Sequence, residues 1–208
     1  MYTMNAIEFN EKIMKGHFKK IYPVIARQIV QVTGITKGLC IDLGGGPGML
    51  GISLAKITEL KVIVYDLLED CVKLVPLNSK ENKVENRVNA IQGRAEDMTF
   101  PTNSVDLVVS RGSIFFWEDQ QKGISEVYRI LKPGGWAYIG GGFGTVGLMQ
   151  EIDEMKQDEP EWIEKRKKRL GQNSSNHLKI ILENLGIPGK VDTSEAGTWI
   201  IFQKSLSS

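Results

Sequence analysis

The stretch 39-LCIDLGGGPGML-50 decides the fold of this 208-residue chain. Leu39 to Leu43 is an apolar run interrupted only by Asp42, and it predicts a buried strand. Glycine occupies four of the next five positions, so the backbone of this turn can take positive φ and approach a ligand closely. A helix predicted to begin near residue 48 presents free N–H groups that suit an anionic group. The sequence therefore predicts a strand, a ligand-binding turn and a helix.

A second β-rich run, Lys61 to Asp66, also ends in an acid, 18 residues after Gly48. A carboxylate at this point can accept hydrogen bonds from both ribose hydroxyls of a bound nucleoside. Nicotinamide-dependent dehydrogenases place an acid at the same point. These two stretches therefore leave two enzyme classes open.

Three later stretches separate the two classes. They are 93-GRAEDMTFP-101, 104-SVDLVV-109 and 129-RILKPGG-135. With the acid and the glycines of the first stretch, this ordered set resembles the class I S-adenosylmethionine (SAM) dependent methyltransferases. It is most similar to the small-molecule type-11 group of ubiquinone and menaquinone methyltransferases. The resemblance covers about residues 34–144.

The resemblance implies an α/β fold, a Rossmann-like doubly wound sheet of seven strands in the order 3-2-1-4-5-7-6 with strand seven antiparallel. The alternation of strands and helices independently predicts a parallel sheet. We predict strands at 38–43, 60–65, 87–92, 105–110, 136–140, 189–195 and 198–204. We predict helices at 5–15, 17–33, 48–58, 67–80, 120–131, 145–157, 160–170 and 174–185.

We expect one methyltransferase domain spanning residues 1–208. Residues 1–33 would form a helical lid, and residues 145–185 a helical segment that covers the substrate. Gly16 is the expected break between the first two helices, and Pro23 is an alternative start for the second. Pro76 is expected to bend or split the helix at 67–80.

Composition and charge are those of an ordinary globular protein. Charged residues are 25%, hydrophobic residues 41%, and the net charge is +1, so bulk charge does not indicate a nucleic acid or membrane partner. The first ten residues do not resemble a signal peptide, and no apolar run approaches the length of a membrane span. We expect a cytoplasmic monomer or homodimer. Cys40 and Cys71 form no metal-binding pattern, so no metal is expected.

The resemblance implies SAM as cofactor and S-adenosylhomocysteine (SAH) as product. Asp66 would bind the ribose hydroxyls, and Leu67 would pack on the ribose or the adenine. Asp42 would orient the turn or the methionine amino group through water, the alternative being a buried acid satisfied by backbone donors. The predicted cofactor-binding residues are Asp42, Gly44, Gly45, Gly46, Gly48, Asp66, Leu67, Ala95, Glu96, Ser110 and Arg111.

The turn after strand three departs from the family's usual Gly-Asp-Ala. Arg94 replaces the aspartate and cannot accept a hydrogen bond from the adenine amine. Ala95 can still donate its N–H to the ring, and Glu96 is the alternative acceptor. Arg94 could instead stack on the adenine face.

The segment after strand four, 110-SRGSIFFW-117, lacks the Asn-Pro-Pro-Tyr motif of nucleic-acid amino-methyltransferases. This argues against methylation of a DNA or RNA base. Arg111 is predicted to bind the SAM carboxylate or an anionic substrate, the alternative being an ion pair with an acid. Open α/β sheets bind ligands at the carboxyl ends of their strands. The predicted substrate residues are Tyr22, Arg111, Phe115, Phe116, Trp117 and Phe143.

No residue pattern identifies a general base. His17 and Tyr22 are the candidate catalytic residues, because the resemblance places the N-terminal helices over the cofactor. The alternatives are a surface histidine and a packing tyrosine. SAM is already activated, so positioning and desolvation can supply most of the rate. We therefore predict in-line methyl transfer to a small molecule, with carbon, nitrogen, oxygen and sulfur acceptors all open.

Three other functions stay open. The basic run Lys165 to Arg169 suggests an RNA or protein methyltransferase, although acids just upstream can pair with it along a solvated helix. The lack of a base and the presence of Arg94 suggest a nonenzymatic SAM-binding protein. A nicotinamide dehydrogenase fits worst, because residues 93–109 and the turn at 131–135 do not belong to its pattern.

Overall fold

The computed structural model describes residues 5–159, 161, 164 and 175–206. The basic run 165–169 and most of the helix predicted at 160–170 lie outside the described residues. Within the described part, no helix combines the length and apolar character needed to span a bilayer.

A seven-stranded sheet in the order β3-β2-β1-β4-β5-β7-β6 forms the centre of the protein. The strands are β1 Lys37–Leu43, β2 Glu59–Asp66, β3 Val88–Gln92, β4 Val105–Arg111, β5 Leu131–Gly142, β6 Gly189–Ser194 and β7 Gly197–Gln203. The first five strands pair in parallel, and β7 runs antiparallel to β5 and β6. The predicted strand order and the reversed seventh strand are confirmed.

Helices pack on both faces of this sheet. They are α1 Ala6–Glu8, α2 Ile21–Thr33, α3 Met49–Ile57, α4 Glu69–Val72, α5 Val75–Glu81, α6 Gln120–Ile130, α7 Val146–Met155 and α8 Ser175–Asn184, with a π-helical segment at Phe9–His17 and a 3-10 turn at Ile114–Phe116. Successive strand residues point to opposite faces. Cys40 accordingly packs with α2 and α3 in one apolar cluster, while Ile41 packs with α6 and α8 in the other. Both faces of β1 are therefore buried, and the glycine turn leaves it at the edge of the sheet where the strands end.

The N-terminal helices differ from the prediction in geometry and in limits. Residues 9–17 form a π-helix, and Gly16 is the break, because its φ of −90° and ψ of −106° are not helical. The helix α2 begins at Ile21, so Pro23 lies in its first turn, where a missing N–H costs no hydrogen bond. As predicted, α2 ends at residue 33. The next residue, Gly34, has a φ of 68°, and its N–H donates to the Val30 carbonyl.

Two other predicted elements also change. The helix at 67–80 is split into α4 and α5, with Pro76 in the first turn of α5. The strand predicted at 136–140 begins earlier, at Leu131. The turn at 132–135 pairs with the residue that follows β7, because the Gly134 N–H donates to the Lys204 carbonyl and the Lys204 N–H donates to the Gly135 carbonyl. The register of β4 against β5 shifts between Val105 and Leu107 at that point.

Candidate active site

A cavity of about 1220 Å³ opens where the central strands end. Its volume is somewhat above the usual range of small-molecule sites, about 300 to 1,000 Å³. The predicted site residues that line it are Tyr22, Asp42, Gly44, Gly45, Gly46, Asp66, Leu67, Ala95, Glu96, Arg111, Phe115, Phe116, Trp117 and Phe143. His17, Gly48 and Ser110 do not line it.

The glycines of the turn have different structural tasks. A Cβ on Gly44 would overlap the side chain of Ser113, so this glycine permits contact within the protein. A Cβ on Gly46 would point to open space, with Phe9 Cε1 at 3.9 Å as its nearest neighbour. Gly48 has a φ of 89° and packs beside Val64 instead of facing the cavity. Gly46 is therefore the position where the turn leaves room for a ligand.

Asp42 lies beneath the turn and is fully buried. Its Oδ2 accepts the Gly51 N–H at 2.7 Å, and its Oδ1 is buried without a hydrogen-bond partner among the described residues. Burial raises the pKa of Asp42 to about 7, the Gly51 N–H lowers it, and the charge of Asp66 raises it further. Asp42 therefore caps the first turn of α3 and is a mixture of neutral and charged forms near neutral pH.

Asp66, at the end of β2, lines the cavity and accepts N–H groups from two loops. Its Oδ2 accepts the Gly46 N–H at 2.7 Å, and its Oδ1 accepts the Leu68 N–H at 2.9 Å. Burial raises the pKa of Asp66, while these two N–H groups lower it. Each carboxylate oxygen keeps a second lone pair for a ligand hydroxyl. Leu67, next in the chain, is about half exposed at the cavity wall.

The turn after β3 is fixed by ion pairs and by the start of α6. Arg94 Nη2 lies 2.6 Å from the Glu118 carboxylate, and Glu96 Oε1 accepts the Glu118 N–H at 2.7 Å. Ala95 and Glu96 are both buried against the cavity. Arg94 is therefore held beside the site by Glu118, and one oxygen of Glu96 is already engaged.

Ser113 organises the segment after β4. Its hydroxyl donates to the Leu43 carbonyl at 3.0 Å and accepts the Trp117 Nε1–H at 3.1 Å. Ser110, which is fully buried, shares a hydrogen bond of 2.7 Å with the same hydroxyl. Ser110 therefore acts behind the cavity wall, while Ser113 stands in it.

Trp117 packs against α6 so closely that it needs a glycine there. A Cβ on Gly123 would lie 2.6 Å from Trp117 Cε3. The Nε1 hydrogen bond to Ser113 fixes the other edge of the indole. Trp117 is thus a rigid part of the wall, whereas Phe116 beside it is 60% exposed at the opening.

Arg111 lies among aromatic rings at the end of β4. Its guanidinium carbon is 4.4 Å from the ring centre of Phe18, 5.5 Å from that of Phe143 and 5.9 Å from that of Tyr22. Its Nε donates to the Gly142 carbonyl at 3.0 Å. Cation–π contacts of this kind help to fix the position of a guanidinium.

The two candidate catalytic residues differ in position. Tyr22 is buried at the wall, its hydroxyl donates to Met14 Sδ at 2.8 Å, and burial raises its pKa to about 12. His17 does not line the cavity, and burial lowers its pKa, with Lys156 acting in the same direction and Glu159 against it. Tyr22 therefore keeps its proton near neutral pH, and His17 is not in the cavity wall where a general base would be needed.

Several residues that line the cavity were not among the predicted site residues. Phe9 and Met14 line the cavity from the π-helical segment, and Ser113 does so after β4. Lys156 lines it after α7, only 5% exposed and 2.7 Å from the Glu159 carboxylate. Ser113 could have been suspected because it lies two residues after the end of β4, and Phe9 and Met14 only through the general expectation that residues 1–33 form a lid.

Comparison with known proteins identifies the family. The sequence model of a protein family described as “Methyltransferase domain” matches residues 41–139. A solved structure from Methanococcus maripaludis, assigned as an S-adenosyl-L-methionine-dependent methyltransferase, is 38% identical with a TM-score of 0.91, and the match covers 96% of this chain and 92% of that one. The chain belongs to the SAM-dependent methyltransferase family. The resemblance stated from the sequence motifs is confirmed, and the dehydrogenase alternative is excluded.

Two other methyltransferases match a smaller part of the chain. The spinach 2-methyl-6-phytyl-1,4-hydroquinone methyltransferase is 33% identical over 138 residues, which is 66% of this chain and 39% of that enzyme. The demethylmenaquinone methyltransferase of Chlorobaculum tepidum is 33% identical over 109 residues, 52% of this chain and 43% of that enzyme. The chain thus aligns with less than half the length of either enzyme.

Proposed function

We propose that the protein transfers the methyl group of SAM, by in-line displacement, to a small molecule with an apolar ring. One observation carries the proposal. A single cavity joins the glycine turn and Asp66 to an aromatic chamber around Arg111. Such a cavity accommodates two ligands end to end, as a transfer between them requires.

The cofactor would occupy the end formed by β1, β2 and the turn after β3. The free lone pairs of Asp66 would accept the ribose hydroxyls, and the methionine part would pass over Gly46. The Ala95 N–H and the second oxygen of Glu96 would bind adenine. They would take the role of the aspartate that the family usually has at the position of Arg94. Asp42, below the turn, would act on the cofactor through the geometry of the turn.

The acceptor would occupy the chamber formed by residues that follow β4 and β5. Phe115, Trp117 and Phe143 give it apolar walls, which suit a planar ring. Arg111 would bind an oxygen of that ring. The names of the spinach and Chlorobaculum relatives favour a quinol, whose reduced ring is electron-rich.

The chemistry would rely on the acceptor for its nucleophile. Tyr22 holds its proton at neutral pH, and His17 lies outside the cavity, so we assign no general base. The protein would hold the acceptor in line with the sulfonium methyl and exclude water, which supplies most of the acceleration in such transfers. An acceptor that is already electron-rich or ionised is therefore required.

The charge of the wall argues against a nucleic-acid acceptor. Among the described wall residues, ten are acidic and three are basic: Asp42, Asp66, Glu69, Asp70, Glu96, Glu118, Asp158, Glu159, Glu161 and Glu195 against Arg94, Arg111 and Lys156. Arg94 and Lys156 each pair with an acid. An acidic wall attracts the positively charged SAM and repels a phosphate backbone.

Calorimetric titration with SAM, SAH and NAD tests the cofactor assignment. We expect SAM and SAH to bind, and Asp66→Ala to weaken both by tenfold or more, since two charge-assisted hydrogen bonds of the site are lost. Asp192→Ala on β6, an exposed acid beside Lys190, is the matched control and should bind normally. Binding of NAD alone, or equal SAH affinity in Asp66→Ala, would contradict the assignment.

Transfer itself is tested with methyl-labelled SAM and a panel of reduced, ring-demethylated naphthoquinols and benzoquinols. Label in the quinol supports the proposal. Binding of SAM without transfer to any of these quinols, or to any small molecule of a metabolite extract, would support the nonenzymatic SAM-binding protein instead. Salt-dependent RNA binding with transfer to RNA would support the RNA methyltransferase.

A further inference from the structure

Two buried asparagine side chains join the N-terminal segment to the body of the protein. The Nδ2 of Asn78 donates to Asn10 Oδ1 at 2.9 Å, and the Nδ2 of Asn10 donates to Asn78 Oδ1 at 3.3 Å. Asn10 is 1% exposed and Asn78 is fully buried. This reciprocal pair links the π-helix to α5, and the cavity does not touch it.

Asn78 also holds the glycine turn. Its second Nδ2 hydrogen donates to the Pro47 carbonyl at 2.9 Å. The Pro47 carbonyl lies four residues before the Gly51 N–H, but Pro47 precedes α3, whose first carbonyl acceptor is that of Gly48. Here Gly51 donates to Asp42 instead, so Asn78 supplies the donor that the Pro47 carbonyl needs. Asp42 and Asn78 therefore fix the turn from two sides, one through an N–H and the other through a carbonyl.

The segment Phe9–His17, here called the cover segment, forms one wall of the cavity. Phe9, Ile13 and Met14 line the cavity from it. Phe9 is also the nearest neighbour of the open position at Gly46. The cover segment is π-helical, a geometry that is rare and frequent at functional sites.

We propose that Asn10 and Asn78 are positioning residues that fasten the cover segment over the cofactor and couple it to the glycine turn. The inference rests on the proposed function and adds to it residues that touch no ligand. Phe9 is held against the methionine part of the cofactor only while the pair is intact. Loss of the pair releases the cover segment and loosens the turn at Pro47 together.

The amide pair is the dominant tether because of its burial. Removing one partner of a buried hydrogen-bonded pair leaves the other without a bond, which costs about 1 to 3 kcal/mol. The second tether, Lys15 to Glu81 at 2.6 Å, involves a half-exposed carboxylate. Exposed ion pairs contribute about 0 to 1 kcal/mol. The two tethers thus provide a test and a matched control at one interface.

The test compares Asn10→Leu, Asn78→Leu and the double variant with Glu81→Gln. We expect each single asparagine variant to weaken SAH binding by about 5- to 150-fold, the range that 1 to 3 kcal/mol represents. Glu81→Gln should stay within about threefold, as expected for a weak surface pair. The double variant regains apolar packing and stability. It should still bind SAH weakly, because the Pro47 carbonyl has lost its donor. Weak binding in a protein of normal stability would show that the pair positions the site and does not merely stabilise the fold.

Hydrogen exchange of the ligand-free proteins supplies a readout that needs no cofactor. Asn10→Leu, which changes only the cover segment, should speed exchange of amides in 9–17 and also in 48–52, where the glycine turn enters α3. Unchanged exchange at 48–52, or SAH affinity within twofold of the wild type in the folded Asn10→Leu protein, overturns the inference. If the wild type binds no SAH while exchange changes as expected, the proposed function fails and the coupling stands.

Discussion

The guanidinium carbon of Arg111 lies 4.4 Å from the ring centre of Phe18, which joins the end of a central strand to the N-terminal part of the chain. The same guanidinium lies within 6 Å of the ring centres of Tyr22 and Phe143. It lies two strands from Asp66, or about 10 Å at the usual spacing of strands. The guanidinium of Arg111 is thus set apart from the end of the cavity where we propose that the nucleoside binds.

Arg111→Gln tests which ligand this group binds. We expect the KM for the acceptor to rise tenfold or more, because a charged hydrogen bond to an acceptor oxygen is worth about 1.5 to 3 kcal/mol. The affinity for SAH should change less than threefold. Steady-state kinetics and calorimetry measure the two effects. Arg87→Gln, which loses a bond to the Thr58 carbonyl near the start of β2, is the control. A large loss of SAH affinity would instead assign Arg111 to the SAM carboxylate.

Gly44 and Gly46 should respond differently to alanine. At Gly44 the new methyl group overlaps Ser113, and the backbone φ of 61° is strained for alanine. The free energy of unfolding should therefore fall by about 3 kcal/mol. At Gly46 the methyl group enters the cavity, so stability should fall by only about 1 kcal/mol while SAH affinity falls tenfold or more. Urea unfolding and calorimetry report the two quantities. Equal losses of stability would refute the distinction.

Asp42 should make stability depend on pH in a particular direction. Its pKa is about 7 in the folded protein and near 3.8 when unfolded, so between these values the folded state binds more protons. The free energy of unfolding contributed by Asp42 then falls as pH rises from about 4 to about 7. Asp42→Asn has no proton to lose, so its unfolding free energy should decline less over this window. Urea unfolding across the window measures the difference, and parallel curves would disprove the assignment.

Tyr22→Phe tests whether the tyrosine takes part in proton transfer. Because its pKa is near 12 and its hydroxyl bonds Met14, we expect kcat to fall less than tenfold with an unchanged pH profile. General acid–base catalysis typically contributes 100- to 10,000-fold. A loss of that size with a shifted pH profile would establish Tyr22 as a catalytic residue.

The features that sequence revealed are local ones. An apolar run with an acid at or just before its carboxyl end, Asp66 or Asp42, predicts a buried strand that carries the acid to the edge of the sheet, and both acids line the cavity. The order of the strands came from the family resemblance and is confirmed. The glycines predicted a turn. Only the structure distinguishes Gly44, which packs against the Ser113 side chain, from Gly46, which faces the cavity.

The features that sequence did not reveal depend on distant contacts. Asn10 and Asn78 have ordinary neighbours in sequence, and their pairing follows from where the π-helix crosses α5. Glu96 was expected to face adenine, yet one of its oxygens binds the Glu118 N–H at the start of α6. Burial and pairing of this kind are set by tertiary packing, which local periodicity does not encode.

The contact between Trp117 and Gly123 constrains how the acceptor specificity of this protein can change in evolution. A glycine inside a helix costs about 1 kcal/mol relative to alanine, and α6 bears that cost because the indole fills the place of a Cβ. A smaller residue at 117 would enlarge the chamber and at the same time make room for alanine at 123. The two positions should therefore covary among relatives, and changing them together offers a route to bulkier acceptors that preserves the stability of the fold.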